Sequence, residues 1–175
     1  MKRKILFLLL ISIVALIVWG LINGNKSLPL SSEVRERLLT DSSFEVLAIN
    51  PVAVPDSELI ATNADVVLRY LVLGRVKIDN QKTRQELVNA VGKDIAKANH
   101  PPTACILEPR HGIRVGDGTN TMVMLICYRC GDVVLEQNGK TKDYLIKMGS
   151  SLRSPNSLKL FERILKQAGI KTDSN

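Results

Sequence analysis

The feature that most constrains the fold is a β-hairpin signal in the second half of the chain. A strand-like run ends at Val115, five residues rich in Gly, Asp and Asn follow, and an apolar run then extends from Met122 to Ile126. Two such runs joined by a Gly/Asn-rich loop are typical of an antiparallel hairpin with a longer loop. If Val115 pairs with Thr121, the register of both strands follows.

This register predicts that the cysteines and one histidine lie close together. Cys105 falls opposite Cys130-Gly131, and His111 falls opposite Leu125, one same-face step from Cys127. Side chains that are directly opposed lie about 4.5–5.5 Å apart at Cβ, and diagonal ones about 7–8 Å apart. We therefore expect Cys105 to meet Cys130 and His111 to approach Cys127. A slip of one residue would turn one partner of each pair to the other face of the sheet.

Three chemistries are compatible with the Cys127-x-x-Cys130 motif and Cys105. A disulfide, or thiols buried in the core, would make these residues structural. Together with His111, the three thiolates would complete a Cys3His set, an accepted ligand set for a structural zinc ion. As a redox pair, one thiolate of the motif would attack and the other would resolve, and the intervening Arg129 would favour the thiolate form. Because the chain has three cysteines, at least one stays free, binds metal or pairs outside the chain.

The same stretch resembles a family of uncharacterised small bacterial proteins that are exported or membrane-anchored. The residues that fit the family's common core are Cys105, Pro109, Arg110, His111, Gly112, Ile113, Arg114, Ile126, Cys127 and Cys130. Ile106 and Tyr128 stand where the family usually has Phe, so the aromatic packing around the thiols differs. The resemblance implies a shared fold and a shared site, and it implies no activity.

The hairpin also carries three arginines, Arg110, Arg114 and Arg129. Guanidinium groups suit carboxylates and phosphates, so these residues are candidates for an anion-binding patch. The alternative is that they lie on a solvated strand face. The chain has no G-x-S-x-G, G-x-x-x-x-G-K-[ST] or H-E-x-x-H motif, so a hydrolase would lack its nucleophile or its metal site.

An apolar segment precedes the rest of the chain. The basic residues 2–4 are followed by eighteen residues, 5–22, interrupted only by Ser12 and Gly20. As a helix this segment would span about 27 Å, enough for a bilayer core. The basic flank places the N-terminus in the cytoplasm. We predict a signal anchor (residues 1–25) in the bacterial inner membrane with one domain (26–175) outside the cytoplasm; the alternative is a cleaved signal peptide and a periplasmic or secreted protein.

Charge and composition limit the partners of the predicted domain. The formal net charge is +7, but without residues 2–4 the chain has 21 basic and 17 acidic residues, a net charge of +4. Aromatic residues make up 4% of the chain, which leaves few surfaces for base stacking. We therefore expect no nucleic-acid binding. A protein partner is compatible with this composition, which does not identify one.

Local signals predict the order of helices and strands. The stretch 31–33 (Ser-Ser-Glu) can cap a short helix, Asn50-Pro51 ends a strand that starts at Phe44, and the pattern over 65–78 predicts one strand with a bulge at Gly74. Within that strand, the residues expected on a single face are Tyr70, Val72, Val76 and Ile78. Thr83 and Glu86 form a capping box, and a last helix starts at Ser154-Pro155 and stops at Gly169. His100, before two prolines, is predicted to lie exposed at a helix end.

Together these signals predict an α+β fold, with an antiparallel or mixed sheet, helices packed on one side and an N-terminal transmembrane helix. The favoured function is a membrane-anchored, non-enzymatic binding or interaction module with a structural Cys/His cluster, formed by a disulfide or by zinc on Cys105, His111, Cys127 and Cys130. The alternative is a thiol–disulfide oxidoreductase that uses Cys127 and Cys130.

Overall fold

A computed structural model of the chain describes residues 30–59, 64–96, 105–138, 140–147 and 155–172. Within these ranges the chain forms four helices and seven strands. In chain order they are α1 Ser32–Thr40, β1 Phe44–Ala53, α2 Asp56–Leu59, β2 Val66–Val67, β3 Tyr70–Lys77, α3 Gln81–Ala96, β4 His111–Val115, β5 Met122–Cys127, β6 Asp132–Gln137, β7 Lys140–Lys147 and α4 Asn156–Gln167.

The strands form a single sheet in the order β2-β3-β1-β4-β5-β6-β7. Every neighbouring pair is antiparallel. The predicted α+β class is therefore confirmed, and the sheet is antiparallel rather than mixed. Strand β1 lies between β3 and β4, and β5 lies between β4 and β6, so the hairpin occupies the interior of the sheet.

The three longer helices share one hydrophobic core with one face of the sheet. The helical residues in this core, all buried, include Leu38, Leu87, Val88, Val91, Ile95, Phe161, Ile164 and Leu165. The strand residues that meet them include Phe44, Val46, Ala48, Ile113, Val115, Met124, Ile126 and Val133. Full burial of one such side chain stabilises the fold by roughly 1.5–3 kcal/mol, so this helix-side core is the main source of stability.

The opposite face of the sheet carries a smaller core without helices. Its buried members are Leu47, Ile49, Val67, Tyr70, Val123 and Leu125, with Leu68, Val72 and Leu107 packed against them. All six residues of β5 are buried. Strand β5 therefore contributes side chains to both cores, which explains its uninterrupted apolar sequence.

The helix ends confirm two of the predicted capping signals and correct a third. Within the predicted capping stretch 31–33, the Ser31 Oγ accepts a hydrogen bond from the Val34 N–H (3.2 Å), and α4 is followed by Gly169 at a φ of +72°. The predicted start of α3 at Thr83 is wrong, because Asn80 Oδ1 accepts a hydrogen bond from the Thr83 N–H (3.0 Å). Asparagine is as good an N-cap as serine or threonine, and here it starts the helix three residues earlier.

The run predicted as one strand over 65–78 contains a tight turn. Leu68 and Arg69 have φ values of 48° and 72°, and they connect β2 to β3. A turn with two consecutive residues at positive φ usually contains Gly, Asn or Asp. Neither residue is of that kind, so no sequence signal marked this turn.

Strand β3 contains the bulge expected near Gly74. Ala48 of β1 pairs with Gly74, but the next residue, Ile49, pairs with Val72, which leaves Leu73 as the extra residue. An extra residue reverses the alternation of side chains along the strand. Tyr70 and Val72 therefore lie in the smaller core, whereas Val76 and Ile78 lie in the helix-side core. The prediction that all four share one face is wrong for this reason.

Strand β1 also departs from its predicted end. It continues through Asn50 and Pro51 to Ala53, which pairs with Tyr70 of β3 after a second register shift. Pairing of β1 with β4 stops at Ala48, so this last part has a strand neighbour on one side only among the described residues. Proline is tolerated at such a position because it need not donate to a second strand.

Among the residues that the structure describes, no helix is both long and apolar enough to cross a bilayer. The predicted transmembrane segment, residues 5–22, lies outside those residues.

Candidate functional site

Residues 105–110, here called the strap, have no regular secondary structure and lie on the face of the sheet that carries the smaller core. Cys105, the first strap residue, forms a disulfide with Cys130 in the turn between β5 and β6, with 5.7 Å between the two Cα atoms. Further along, Leu107 packs against the smaller core, and its carbonyl accepts a hydrogen bond from the Tyr70 hydroxyl (2.8 Å). Cys105 thus meets Cys130, as predicted, and the disulfide fastens the strap to the sheet.

The third cysteine, Cys127, is a fully buried thiol at the end of β5. It is two residues from Leu125 and so points to the smaller core. Burial is the main cause of the raised pKa of Tyr70, which belongs to the same smaller core. The Cys130 N–H donates a hydrogen bond to Cys127 Sγ (3.4 Å). The two cysteines of the C-x-x-C motif are therefore adjacent, but they are not bonded to each other.

The hairpin register differs by one residue from the predicted one. Val115 pairs with Met122, so His111 lies opposite Ile126 instead of Leu125. This slip turns His111 to the helix-side face, away from Cys127. The ring of His111 instead contacts Tyr128 edge-on, with 5.6 Å between ring centroids, and Phe161 of α4, with 5.3 Å between centroids. The expected approach of His111 to Cys127 is wrong because the loop holds six residues rather than five.

His111 is held in its neutral form by its surroundings. The residue is 3% exposed, and neither ring nitrogen has a hydrogen-bond partner among the described residues. Burial, assisted by the positive charge of the adjacent Arg110, lowers the pKa of His111 to about 4. A neutral imidazole without a carboxylate partner is not oriented as a general base. The geometry therefore gives this histidine a packing role.

A series of hydrogen bonds between buried polar groups connects the β5–β6 turn to α3 and α4. The Tyr128 hydroxyl donates to Ser157 Oγ (2.8 Å), and the Ser157 hydroxyl donates to Asp94 Oδ2 (2.6 Å). The Ser157 N–H donates to the same carboxylate oxygen (2.9 Å). Burial raises the pKa of Tyr128 far above its usual value. The Ser157 hydroxyl both accepts and donates a hydrogen bond, so it is not free to act as a nucleophile. The three residues instead fix α4 to α3 and to the β5–β6 turn.

The four predicted zinc ligands do not converge. Cys105 and Cys130 are bonded to each other, and His111 and Cys127 point to opposite faces of the sheet. Across the part of the chain that the structure describes, no group of three or more His, Cys, Asp or Glu residues could hold a metal ion. This donor arrangement does not fit zinc.

The predicted arginine patch is already neutralised in part. Arg114 pairs with Glu45 (Nε–Oε2, 2.7 Å) and makes two hydrogen bonds to Asp65 (3.0 and 3.1 Å). The hydrogen bonds from Arg114 hold the pKa of Asp65 below its usual value. Arg129 pairs with Glu108 of the strap (2.9 Å). Arg114 and Arg129 therefore serve ion pairs within the fold and do not form an open anion site.

A basic groove between α3 and α4, here called the interhelical groove, was not anticipated. It has a volume of about 550 Å³ and is open to solvent. The residues that line it recur at helical spacing on two antiparallel helices: Glu86, Asn89, Ala90, Lys93, Asn156, Lys159, Leu160 and Arg163. Their spacing was visible in the sequence as the polar side of each helix, but the apposition of the two sides depends on the tertiary fold.

The chain matches no protein-family model, no curated protein and no solved structure. The resemblance of the hairpin to a family of small exported bacterial proteins therefore stays a prediction.

Proposed function

We propose that this protein is a non-enzymatic, extracytoplasmic binding module that recognises an anionic group in the interhelical groove. The groove is the single observation that carries the proposal. In this proposal the Cys105–Cys130 disulfide is structural, because it fastens a strap that has no secondary structure of its own. Residues 5–22 anchor the module in the bacterial inner membrane, with the N-terminus in the cytoplasm. A disulfide is in keeping with a location outside the cytoplasm, where such bonds persist.

The charges of the groove support an anionic ligand. Arg163 on α4 faces Glu86 on α3, with 3.4 Å between Nη2 and Oε1. Lys93 and Lys159 have no ion-pair partner among the described residues, and both side chains are exposed. Two ammonium groups that have no ion-pair partner in the described part of the chain, one on each helix, therefore line a common space. A bound anion would pair with both.

The apolar base of the interhelical groove and the Asn89 amide group further define the kind of ligand that fits it. Ala90 and Leu160 supply an apolar floor, and Leu160 also packs against the helix-side core. The Asn89 Oδ1 already accepts hydrogen bonds from Arg35 and Gln85, which leaves its amide N–H groups as the donors available to a ligand. Cationic walls around a partly apolar floor suit a phosphate or carboxylate attached to a carbon skeleton. A phosphate could come from a lipid headgroup or from a soluble compound.

A matched pair of double variants tests the groove. We would titrate the full-length chain in detergent with inorganic phosphate, and separately with a short-chain phosphatidylglycerol and its phosphatidylcholine counterpart. Lys93→Gln with Lys159→Gln should weaken anion binding about fivefold to thirtyfold, because each exposed charge contact contributes up to roughly 1 kcal/mol. Lys82→Gln with Lys166→Gln is the control, since these exposed lysines lie on the same two helices outside the groove.

The outcomes separate the possible ligands. Binding of phosphate alone points to a soluble anion, whereas selective binding of phosphatidylglycerol points to a lipid headgroup. Equal weakening by both double variants would show a general effect of surface charge, and it would contradict the proposal. So would the absence of binding to either anionic probe at low salt, where exposed charges attract most strongly.

The oxidoreductase alternative receives less support from the geometry. A Cys127–Cys130 redox pair requires these two sulfurs to exchange oxidation states with a substrate. Cys130 is instead bonded to Cys105, and Cys127 is fully buried. An insulin-reduction assay tests this alternative directly, and catalytic turnover that depends on Cys127 would favour it over the binding module.

A further inference from the structure

The arrangement of the three cysteines has a chemical consequence beyond fastening the strap. Cys130 lies in a turn closed by the hydrogen bond from the Gly131 N–H to the Cys127 carbonyl (2.8 Å). Its own N–H donates to the thiol sulfur of Cys127 (3.4 Å), so a free thiol lies beside one end of a disulfide. The other end, Cys105, is exposed to solvent. An attacking group, a central sulfur and a solvated leaving group are thus present in one neighbourhood.

We propose that these residues form an internal thiol–disulfide exchange centre that converts the buried Cys127 thiol into an exposed Cys105 thiol. The Cys127 thiol loses its proton to solvent, and its sulfur attacks Sγ of Cys130. The Cys127–Cys130 bond forms as the Cys105–Cys130 bond breaks, and Cys105 leaves as a thiolate that takes up a proton from water. One disulfide and one thiol exist before and after the step, so no oxidant or reductant is needed.

The geometry of the turn is compatible with the product. Residues three apart in a tight turn have Cα atoms less than about 7 Å apart, which falls within the range that a disulfide can bridge. The leaving sulfur is the exposed one, so its thiolate is solvated as it forms. Uncatalysed disulfide rearrangement takes minutes to hours, so we expect the exchange on that time scale.

Exchange would also release the strap. Without the disulfide, the strap keeps the Tyr70–Leu107 and Ile49–Arg110 hydrogen bonds, the Glu108–Arg129 ion pair and the packing of Leu107. Exposed ion pairs contribute little, so these contacts hold the strap far less firmly than a covalent bond. The product therefore presents a reactive thiol on a loosened segment, next to the exposed side chain of Ile106. Such a thiol is a site for a mixed disulfide with another protein or for chemical modification.

Differential alkylation of the full-length chain, without reductant, tests the exchange. N-ethylmaleimide is added to the native protein at pH 7 and at pH 8 for up to one day. The protein is then denatured with iodoacetamide, which labels the remaining thiols. Trypsin separates the three cysteines into the peptides 98–110, 115–129 and 130–140, because Lys97, Arg110, Arg114, Arg129 and Lys140 supply the cleavage sites. Mass spectrometry then assigns each label and each disulfide.

We expect N-ethylmaleimide to accumulate on Cys105, together with a disulfide between peptides 115–129 and 130–140. The rate should be higher at pH 8, since the thiolate is the attacking species. Cys127→Ser removes the attacker and should abolish labelling of Cys105. Label on Cys127 with the Cys105–Cys130 bond intact, or no label on Cys105 after one day, would overturn the proposal. The positions of the labels and the disulfide in the wild-type protein test the proposal even if the variant does not fold. This test does not depend on anion binding in the interhelical groove.

Discussion

Replacement of His111 by leucine isolates the effect that the buried imidazole has on the pH dependence of folding. The pKa of His111 is about 4 in the folded protein and 6.5 in the unfolded chain. Between these values the unfolded chain binds more protons, so the free energy of unfolding must fall as the pH falls. The wild-type protein should lose about 2 kcal/mol between pH 7 and pH 5, and about 3 kcal/mol between pH 7 and pH 4, from this group alone. His111→Leu should lose none of this contribution.

The assay is urea unfolding of both proteins at several pH values from 7 to 4, with the difference between them read at each pH. The difference removes contributions from carboxylates such as Asp65, which also titrate in this range and are common to both proteins. Leucine is close to histidine in size and removes two ring nitrogens that lack partners among the described residues, so the variant should fold. The second histidine, His100, is predicted to be exposed, and His100→Gln is the matched control. Parallel loss of stability in wild type and His111→Leu would refute a buried, neutral imidazole.

Two further predictions concern the covalent and polar ties of the strap and the β5–β6 turn. Replacement of Cys105 and Cys130 by alanine should lower the free energy of unfolding by about 3.5 kcal/mol, because the disulfide closes a loop with a sequence separation of 25. In urea unfolding of this variant, a reductant should have no further effect on stability. Ser157→Ala should lower the free energy of unfolding by about 2–3 kcal/mol, because it leaves the buried Asp94 carboxylate without its hydroxyl donor. Tyr128→Phe removes one hydrogen bond and should lower it by about 1 kcal/mol. A greater loss of thermal stability in Tyr128→Phe than in Ser157→Ala would contradict this hydrogen-bonded series.

The sequence was sufficient to predict the fold class and most of its elements, but it was insufficient to predict the hairpin register. Registers are read from alternation, and β5 has none, because both of its faces are buried. The loop between Val115 and Met122 therefore decided the register, and its composition is compatible with five residues or six. That single residue determines whether His111 faces Cys127 or Phe161.

The disulfide was predictable from the same hairpin although the register was not. Cys105 lies before β4, in a strap that is not part of the ladder, so its side chain is not bound by the alternation of the strand. Leu107 of the same strap packs against the smaller core. The interhelical groove, by contrast, depends on how α3 and α4 pack, and residues such as Lys93 and Lys159 gave no local signal that they share one space.

The extra residue in β3 has a consequence for how this chain tolerates recombination. Because Leu73 shifts the alternation, one strand ends in the layer under the helices and begins in the layer under the strap. A segment exchanged from another protein at this place would have to carry the same insertion. A regular strand of equal length would match the alternation of side chains on one side of Leu73 along the strand and would invert it on the other side.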